Sequence, residues 1–181
     1  MNTVEPIKDV NIINNLAEYL KEKNIRDYLM FIFGIYSGLR ITDILKLKVK
    51  DVKGEHISIH EQKTGKEKLF LIHPEIKRVL KEYVKDKKDN DFLFRSRQGN
   101  NKPITRARAY DILDKAAQKY NVKNLGTHSM RKTFGYFLYQ QTKDIAVLKE
   151  IFNHADVSTT MRYIGMSQDS KDKAIKKLKI L

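Results

Sequence analysis

The chain has 181 residues, 41% of them hydrophobic, enough to bury one sizeable core, so one folded domain is expected rather than a disordered chain. Its 36 Lys and Arg against 22 Asp and Glu leave a formal charge of +14, an excess that points to a polyanionic partner, nucleic acid first. With no Cys, the sequence excludes disulfides, a thiolate nucleophile and any Cys-based zinc site.

The N-terminal residues lack a basic stretch followed by an apolar core, and the apolar run near 28–36 is broken by Gly34, so a cytoplasmic protein with no membrane span is expected. Asp9 can cap a first helix, because Val10, Ile13, Ala17 and Leu20 recur at roughly helical spacing. A second helix, Ile25–Ser37, is apolar nearly all round, which marks it as buried, and Gly38 ends it. Arg40 then emerges beside the core. Thr42 reads as the cap of a short helix carrying Asp43, Ile44, Leu45 and Leu47.

The texture then changes to alternation. His56–His60 has period two, Thr64-Gly65 supplies a turn, and residues 68–72 return, so the middle reads as a small antiparallel hairpin with Lys63 at its bend. Pro74 suits the first turn of a helix through about Val84, and residues 85–91 form a solvated connection. The remainder is expected to be helical, over residues 103–120, 127–140, 144–153 and 157–164. The fold class is therefore α+β: a mainly helical domain over residues 1–165 with a small antiparallel sheet at its edge. Residues 166–181 form a separate amphipathic tail, with Lys171, Lys173, Lys176, Lys177 and Lys179 set among apolar positions.

Cleaving a phosphodiester needs a nucleophile, neutralisation of two non-bridging oxygens and a proton for the departing oxygen. Without Cys or an acidic cluster at metal-ligand spacing, a metal-free set of Arg, His, Lys and a hydroxyl is the natural one to seek. His128 and Arg131 open a helix three residues apart, one turn along the same face, where both could reach one phosphate. On spacing alone they could equally be surface residues of a basic helix. Each of the nine tyrosines could be a core residue with a satisfied hydroxyl.

Four motifs in order, Gly38-Leu-Arg-Ile-Thr-Asp43, Gln62-Lys-Thr-Gly-Lys66, His128-Ser-Met-Arg-Lys-Thr-Phe134 and the run from Asn153 to Gly165, resemble the catalytic domain of tyrosine recombinases, the phage and transposon integrases. The similarity runs over residues 4–163. It implies that Arg40 and Arg131 grip the phosphate, that Lys63 protonates the leaving 5′ oxygen, and that His128 assists proton transfer. It further implies that His154 hydrogen-bonds the phosphate, that Asp43 supports the site, and that Tyr163 is the nucleophile that forms a 3′-phosphotyrosyl ester. His56, His60 and His73 match nothing in it.

The resemblance also implies double-stranded DNA as substrate, recombination without metal, ATP or other cofactor, and assembly of further protomers, a tetramer on DNA with tails exchanged between neighbours. Lys46, Lys48, Lys50, Arg106, Arg108 and Lys132 would flank the site and contact phosphates rather than bases. Three other readings stay open on the sequence: type IB topoisomerase-like relaxation without exchange, a catalytically silent DNA-binding module, and a metal-dependent nuclease using His128, His154 and Asp156.

Overall fold

The structure, a computed structural model, describes residues 4–60, 67–166, 175, 176 and 178. The named elements among the described residues follow in chain order: α1 (Val10–Lys23), α2 (Ile25–Ser37), α3 (Ile41–Lys46), a 3-10 turn (Val49–Val52), β1 (His56–His60), β2 (Glu67–Leu71), α4 (Pro74–Tyr83), α5 (Arg106–Lys119), α6 (Thr127–Thr142), α7 (Ile145–Phe152) and α8 (Val157–Tyr163). Among the described residues no helix is long and apolar enough to cross a membrane.

Helix α2 is the axis of the domain. Its Tyr28, Leu29, Met30, Phe31, Ile32 and Phe33 are all buried, and α1, α4 and α6 pack around it. Burial on every side explains why its sequence shows no polar stripe. Gly34 admits α6, since a Cβ there would overlap the side chain of Met130. Asn24, whose side chain accepts from the Arg26 N–H at 2.9 Å, starts the helix, and Gly38, in the left-handed region at φ 64°, ends it.

The hairpin pairs antiparallel, Ile57 opposite Phe70 and Ile59 opposite Lys68. Its second strand lies one residue earlier than the sequence suggests. The N–H of Ile72 bonds instead to the Glu55 carbonyl at 2.9 Å, just beyond the ladder, and Ile72 is buried there. The cap of α3 also differs. Arg40, extended and without a side-chain capping bond, holds that position, and Thr42 lies inside the helix. Residues 92–104 are not helical: the Leu93 N–H bonds to the Leu47 carbonyl at 2.8 Å and the Ile104 N–H to the Phe94 carbonyl at 2.8 Å, which threads Leu93 and Phe94 into the core. That segment has neither helical nor strand periodicity, so pattern reading could not place it.

A second, smaller apolar cluster lies apart from the main core. Leu148, Phe152 and Ile164 are fully buried in it, with Phe134, Leu138 and Tyr163 packed against them. Helices α7 and α8 depend on this cluster, and Gly135 of α6 makes room for it: a Cβ there would come within 2.7 Å of Phe152 and 2.8 Å of Ile164.

Candidate active site

Three segments converge beside the small cluster: the turn from Gly38 into α3, the first turns of α6, and the run from Phe152 to Tyr163. The left-handed Gly38 turns its carbonyl toward α6, where it accepts from Arg131 Nη1. Arg131 Nη2 donates to the Phe152 carbonyl at 3.1 Å, and the guanidinium lies close enough to the Tyr163 phenol for its charge to favour the ionised form. Arg131 is buried, 5% exposed, and desolvation lowers its pKa to about 10, against the favourable charge of Tyr163. It still carries its charge at neutral pH.

Arg40 is exposed, on the turn that leads into α3. Its positive charge is felt at Arg131, His128, His154 and Tyr163, the signature of a shared site. Among the described residues Asp43 makes no ion pair with Arg40, but its negative charge supports Arg131.

Tyr163 sits at the end of α8 among aromatic rings. Phe152 meets it at 5.2 Å and 71°, and His154 at 5.1 Å and 73°, both edge to face. Burial raises the phenol's pKa, while Arg131 and Arg40 pull it back down. Asn153, left-handed at φ 53°, ends α7 and swings the chain so that His154 returns to the ring cluster. Asp156 caps α8: its side chain accepts from the Thr159 N–H at 2.7 Å and from Ser158 Oγ at 2.7 Å, and these bonds lower its carboxyl pKa to about 2.

His154 Nδ1 lies 3.0 Å from Oγ1 of the buried Thr160, which fixes the ring plane and leaves Nε2 for a ligand. Burial lowers the pKa of His154 first, then the charges of Arg131 and Arg40. His128 is exposed on the opening turn of α6; partial desolvation lowers its pKa first, followed by Arg106, Arg131, Lys132 and Arg40. Both imidazoles are therefore neutral at physiological pH, each with four or two cationic neighbours disfavouring its charged form. Among the described residues no three His, Asp or Glu side chains are placed to hold a metal ion, so His128, His154 and Asp156 do not form a metal centre.

The structure thus brings Arg40, His128, Arg131, His154 and Tyr163 together and sets Asp43 behind them, whereas Lys63 lies outside the described residues. Of the flanking cations, Lys46, Lys50 and Arg106 are exposed, and Arg106 is close enough to His128 to perturb it. Lys48 is half-buried, its Nζ 5.5 Å from the Phe92 ring centroid. Arg108 is exposed in a cleft of about 550 Å³ shared with Arg26 and Arg97. Lys132 is a correction: expected at the surface beside DNA, it is 7% exposed, its Nζ bonded to the Val4 carbonyl at 2.8 Å and 5.2 Å from the Tyr163 ring centroid. Sequence reasoning also missed Phe152 and Thr160. No residue-level signal marks them, since an apolar helix end and a threonine in a polar run are ordinary features.

The family model described as the phage integrase family matches residues 7–169. "Probable integrase/recombinase YoeC" of Bacillus subtilis is 49% identical over 177 residues, spanning 97% of this chain and 97% of that protein. "Tyrosine recombinase XerA" of Pyrococcus horikoshii is 28% identical over 190 residues, 98% of this chain but 67% of its own length. Among solved structures, "Crystal structure of XerA recombinase" superposes with a TM-score of 0.76 at 21% identity, covering 96% of this chain and 64% of that one. "Catalytic domain of bacteriophage HP1 integrase" does so with a TM-score of 0.64 at 20% identity, covering 97% and 95%. At these identities the superpositions establish a shared fold.

Proposed function

The chain belongs to the phage integrase family, and on that premise we propose that it is the catalytic domain of a site-specific DNA recombinase that cleaves and rejoins strands through Tyr163. The observation that carries this reading is the convergence on Phe152, whose carbonyl holds the Arg131 guanidinium and whose ring packs against Tyr163, with the charges of Arg131 and Arg40 both favouring the ionised phenol. The names of the relatives, recombinases and integrases, favour exchange between DNA sites over relaxation of supercoils by the same chemistry.

In the proposed reaction the Tyr163 oxygen attacks the scissile phosphorus and loses its proton, and a new phosphorus–oxygen bond forms as the bond to the 5′ oxygen breaks. Arg40 and the Arg131 N–H groups not held by Gly38 and Phe152 hold the non-bridging oxygens and neutralise the crowded transition state, each such donor being worth about 10²- to 10³-fold in rate. His154, oriented by Thr160, hydrogen-bonds the same phosphate through Nε2, and neutral His128 relays a proton near the phenol. Lys63 supplies the proton that the 5′ oxygen takes up on leaving. The phosphotyrosyl ester conserves the energy of the broken bond, so a 5′ hydroxyl of a second strand can reverse the step without metal or ATP.

Lys46, Lys48, Lys50, Arg106 and Arg108 are proposed to contact the duplex backbone around this site, and a full reaction to require further protomers, a tetramer on DNA in the cytoplasm whose tails beyond residue 165 dock on their neighbours. A nicked suicide duplex, from which the short cleaved strand diffuses away, tests the reading. Wild-type protein should accumulate a covalent adduct, and Tyr163→Phe should bind the duplex with none; an adduct formed by the Phe variant would overturn it.

A further inference from the structure

We infer that Lys132, tethered by the backbone of the N-terminal segment, is a positioning residue for Tyr163 that holds a positive charge against the face of the nucleophile's ring. The inference rests on the reading of Tyr163 as nucleophile. A lysine directly after Arg131 on a basic helix would ordinarily be solvated, and taking an ammonium out of water is costly unless something replaces its hydration. Here Lys132 is 7% exposed and has two such replacements, the Val4 carbonyl at 2.8 Å and the Tyr163 ring face at 5.2 Å from its centroid. Among the described residues no carboxylate pairs with it, so its charge is not cancelled locally.

The acceptor is itself fixed at two points. Thr133 Oγ1, next to the lysine, accepts from the Ile7 N–H at 2.8 Å, and Lys8 Nζ donates to the carbonyl of Gly165, two residues past the tyrosine, at 3.1 Å. Gly165 is left-handed at φ 70°, and a Cβ there would approach Pro6 to 3.2 Å. Residues 4–8 therefore bridge α6 to the end of α8 and carry the carbonyl that aims the ammonium.

The groups facing the phenol can be enumerated by element. Helix α6 contributes Arg131, Lys132 at the ring face and, beside those two cations, His128; the turn before α3 contributes Arg40; the loop before α8 contributes His154. Among the described residues no carboxylate shifts the phenol. A cation on a π face is attracted more strongly to an ionised phenol, whose ring is richer in electrons, than to a neutral one. Arg131 thus acts at the oxygen and Lys132 at the ring, and both favour the attacking form in an orientation already set.

The test compares full-length wild type, Lys132→Gln, which keeps a donor for Val4 but not the charge, and Lys132→Arg, which keeps the charge. Single-turnover adduct formation on the suicide duplex is followed at saturating protein from neutral to alkaline pH, with duplex affinity measured in parallel. Lys132→Gln should cleave about 3- to 30-fold more slowly at neutral pH, with the deficit narrowing as base ionises the phenol and with affinity unchanged, while Lys132→Arg recovers most of the rate. Equal pH profiles for wild type and Lys132→Gln would overturn the inference, as would a loss confined to duplex affinity, which would make Lys132 a phosphate contact. An arginine variant no better than glutamine would do the same, by reducing the residue to packing. Should glutamine not fold in a buried position, Lys132→Met serves in its place with the same expectations. An adduct on Tyr163→Phe would instead refute the choice of nucleophile, a result separate from all of these.

Discussion

Arg131 donates through Nη2 to the carbonyl of Phe152 at 3.1 Å while its Cζ stands 4.4 Å from the ring centroid of that same residue. Phe152 therefore holds the guanidinium by backbone and side chain together, and its ring also meets Tyr163 at 5.2 Å. The arginine and the tyrosine, 32 positions apart, are aligned by a residue that has no chemistry of its own. A phosphate gripped by Arg131 would lie close to the tyrosine oxygen, because the guanidinium and the phenol are near enough for each to shift the other's pKa.

The two arginines should fail differently. Arg40→Ala removes an exposed charge, so cleavage should fall about 10²- to 10³-fold with the melting temperature unchanged. Arg131→Ala should lose cleavage and stability together, since the carbonyls of Gly38 and Phe152 lose their buried donor, at roughly 1–3 kcal/mol for each. Thermal melts beside adduct assays check this; an Arg131→Ala protein as stable as wild type would contradict it.

Gly135 should tolerate nothing larger. A Cβ there would press within 2.7 Å of Phe152 and 2.8 Å of Ile164, neither of which is the free end of a flexible chain. Gly135→Ala should destabilise the protein by roughly 1–3 kcal/mol, the usual cost of overpacking. Adduct formation should drop as well, because the displaced ring is the support of Arg131 and Tyr163. Denaturant titration with a parallel cleavage assay measures both; a normal rate would separate the small cluster from the site.

Much of this was legible in the sequence, and what escaped did so for physical reasons. The all-round apolarity of α2, the Gly38 stop and the alternation of the hairpin are local signals, and α2 and the first strand stand where their residues indicated. The motifs likewise named Arg40, His128, Arg131, His154 and Tyr163, which the fold gathers. The cap of α3, the one-residue register of β2 and the non-helical course of residues 92–104 depend on tertiary hydrogen bonds that leave no periodic trace. The burial of Lys132 was the largest departure: residue type argues for solvent, and only the approach of residues 4–8 shows otherwise.

Acid should destabilise the protein as its site histidines titrate. His128 and His154 both have folded pKa values below the ordinary 6.5. The unfolded chain therefore takes up protons first as pH falls, and stability held above about 6.5 is lost from there down toward the depressed folded values. The double substitution His128→Gln and His154→Gln should flatten this part of the profile. Melting temperatures from neutral to mildly acidic pH check it, and identical slopes for the two proteins would contradict it.

Salt should distinguish backbone contacts from site residues. Lys46→Gln and Lys50→Gln, both at exposed positions, should each lower the slope of log affinity against log salt by about 0.9 if each neutralises one phosphate. The buried Lys132 should leave that slope unchanged when replaced. Binding isotherms at several salt concentrations decide, and an undiminished slope in the double lysine variant would remove α3 and the turn after it from the DNA interface.

The central claim is tested most directly by isolating the adduct formed on a nicked suicide duplex, digesting the protein, and locating the nucleotide-bearing peptide by mass spectrometry. The account predicts one modified peptide, with the mass of the DNA remnant on Tyr163. A remnant on any other residue, or no covalent species under conditions where the duplex is bound, would contradict it.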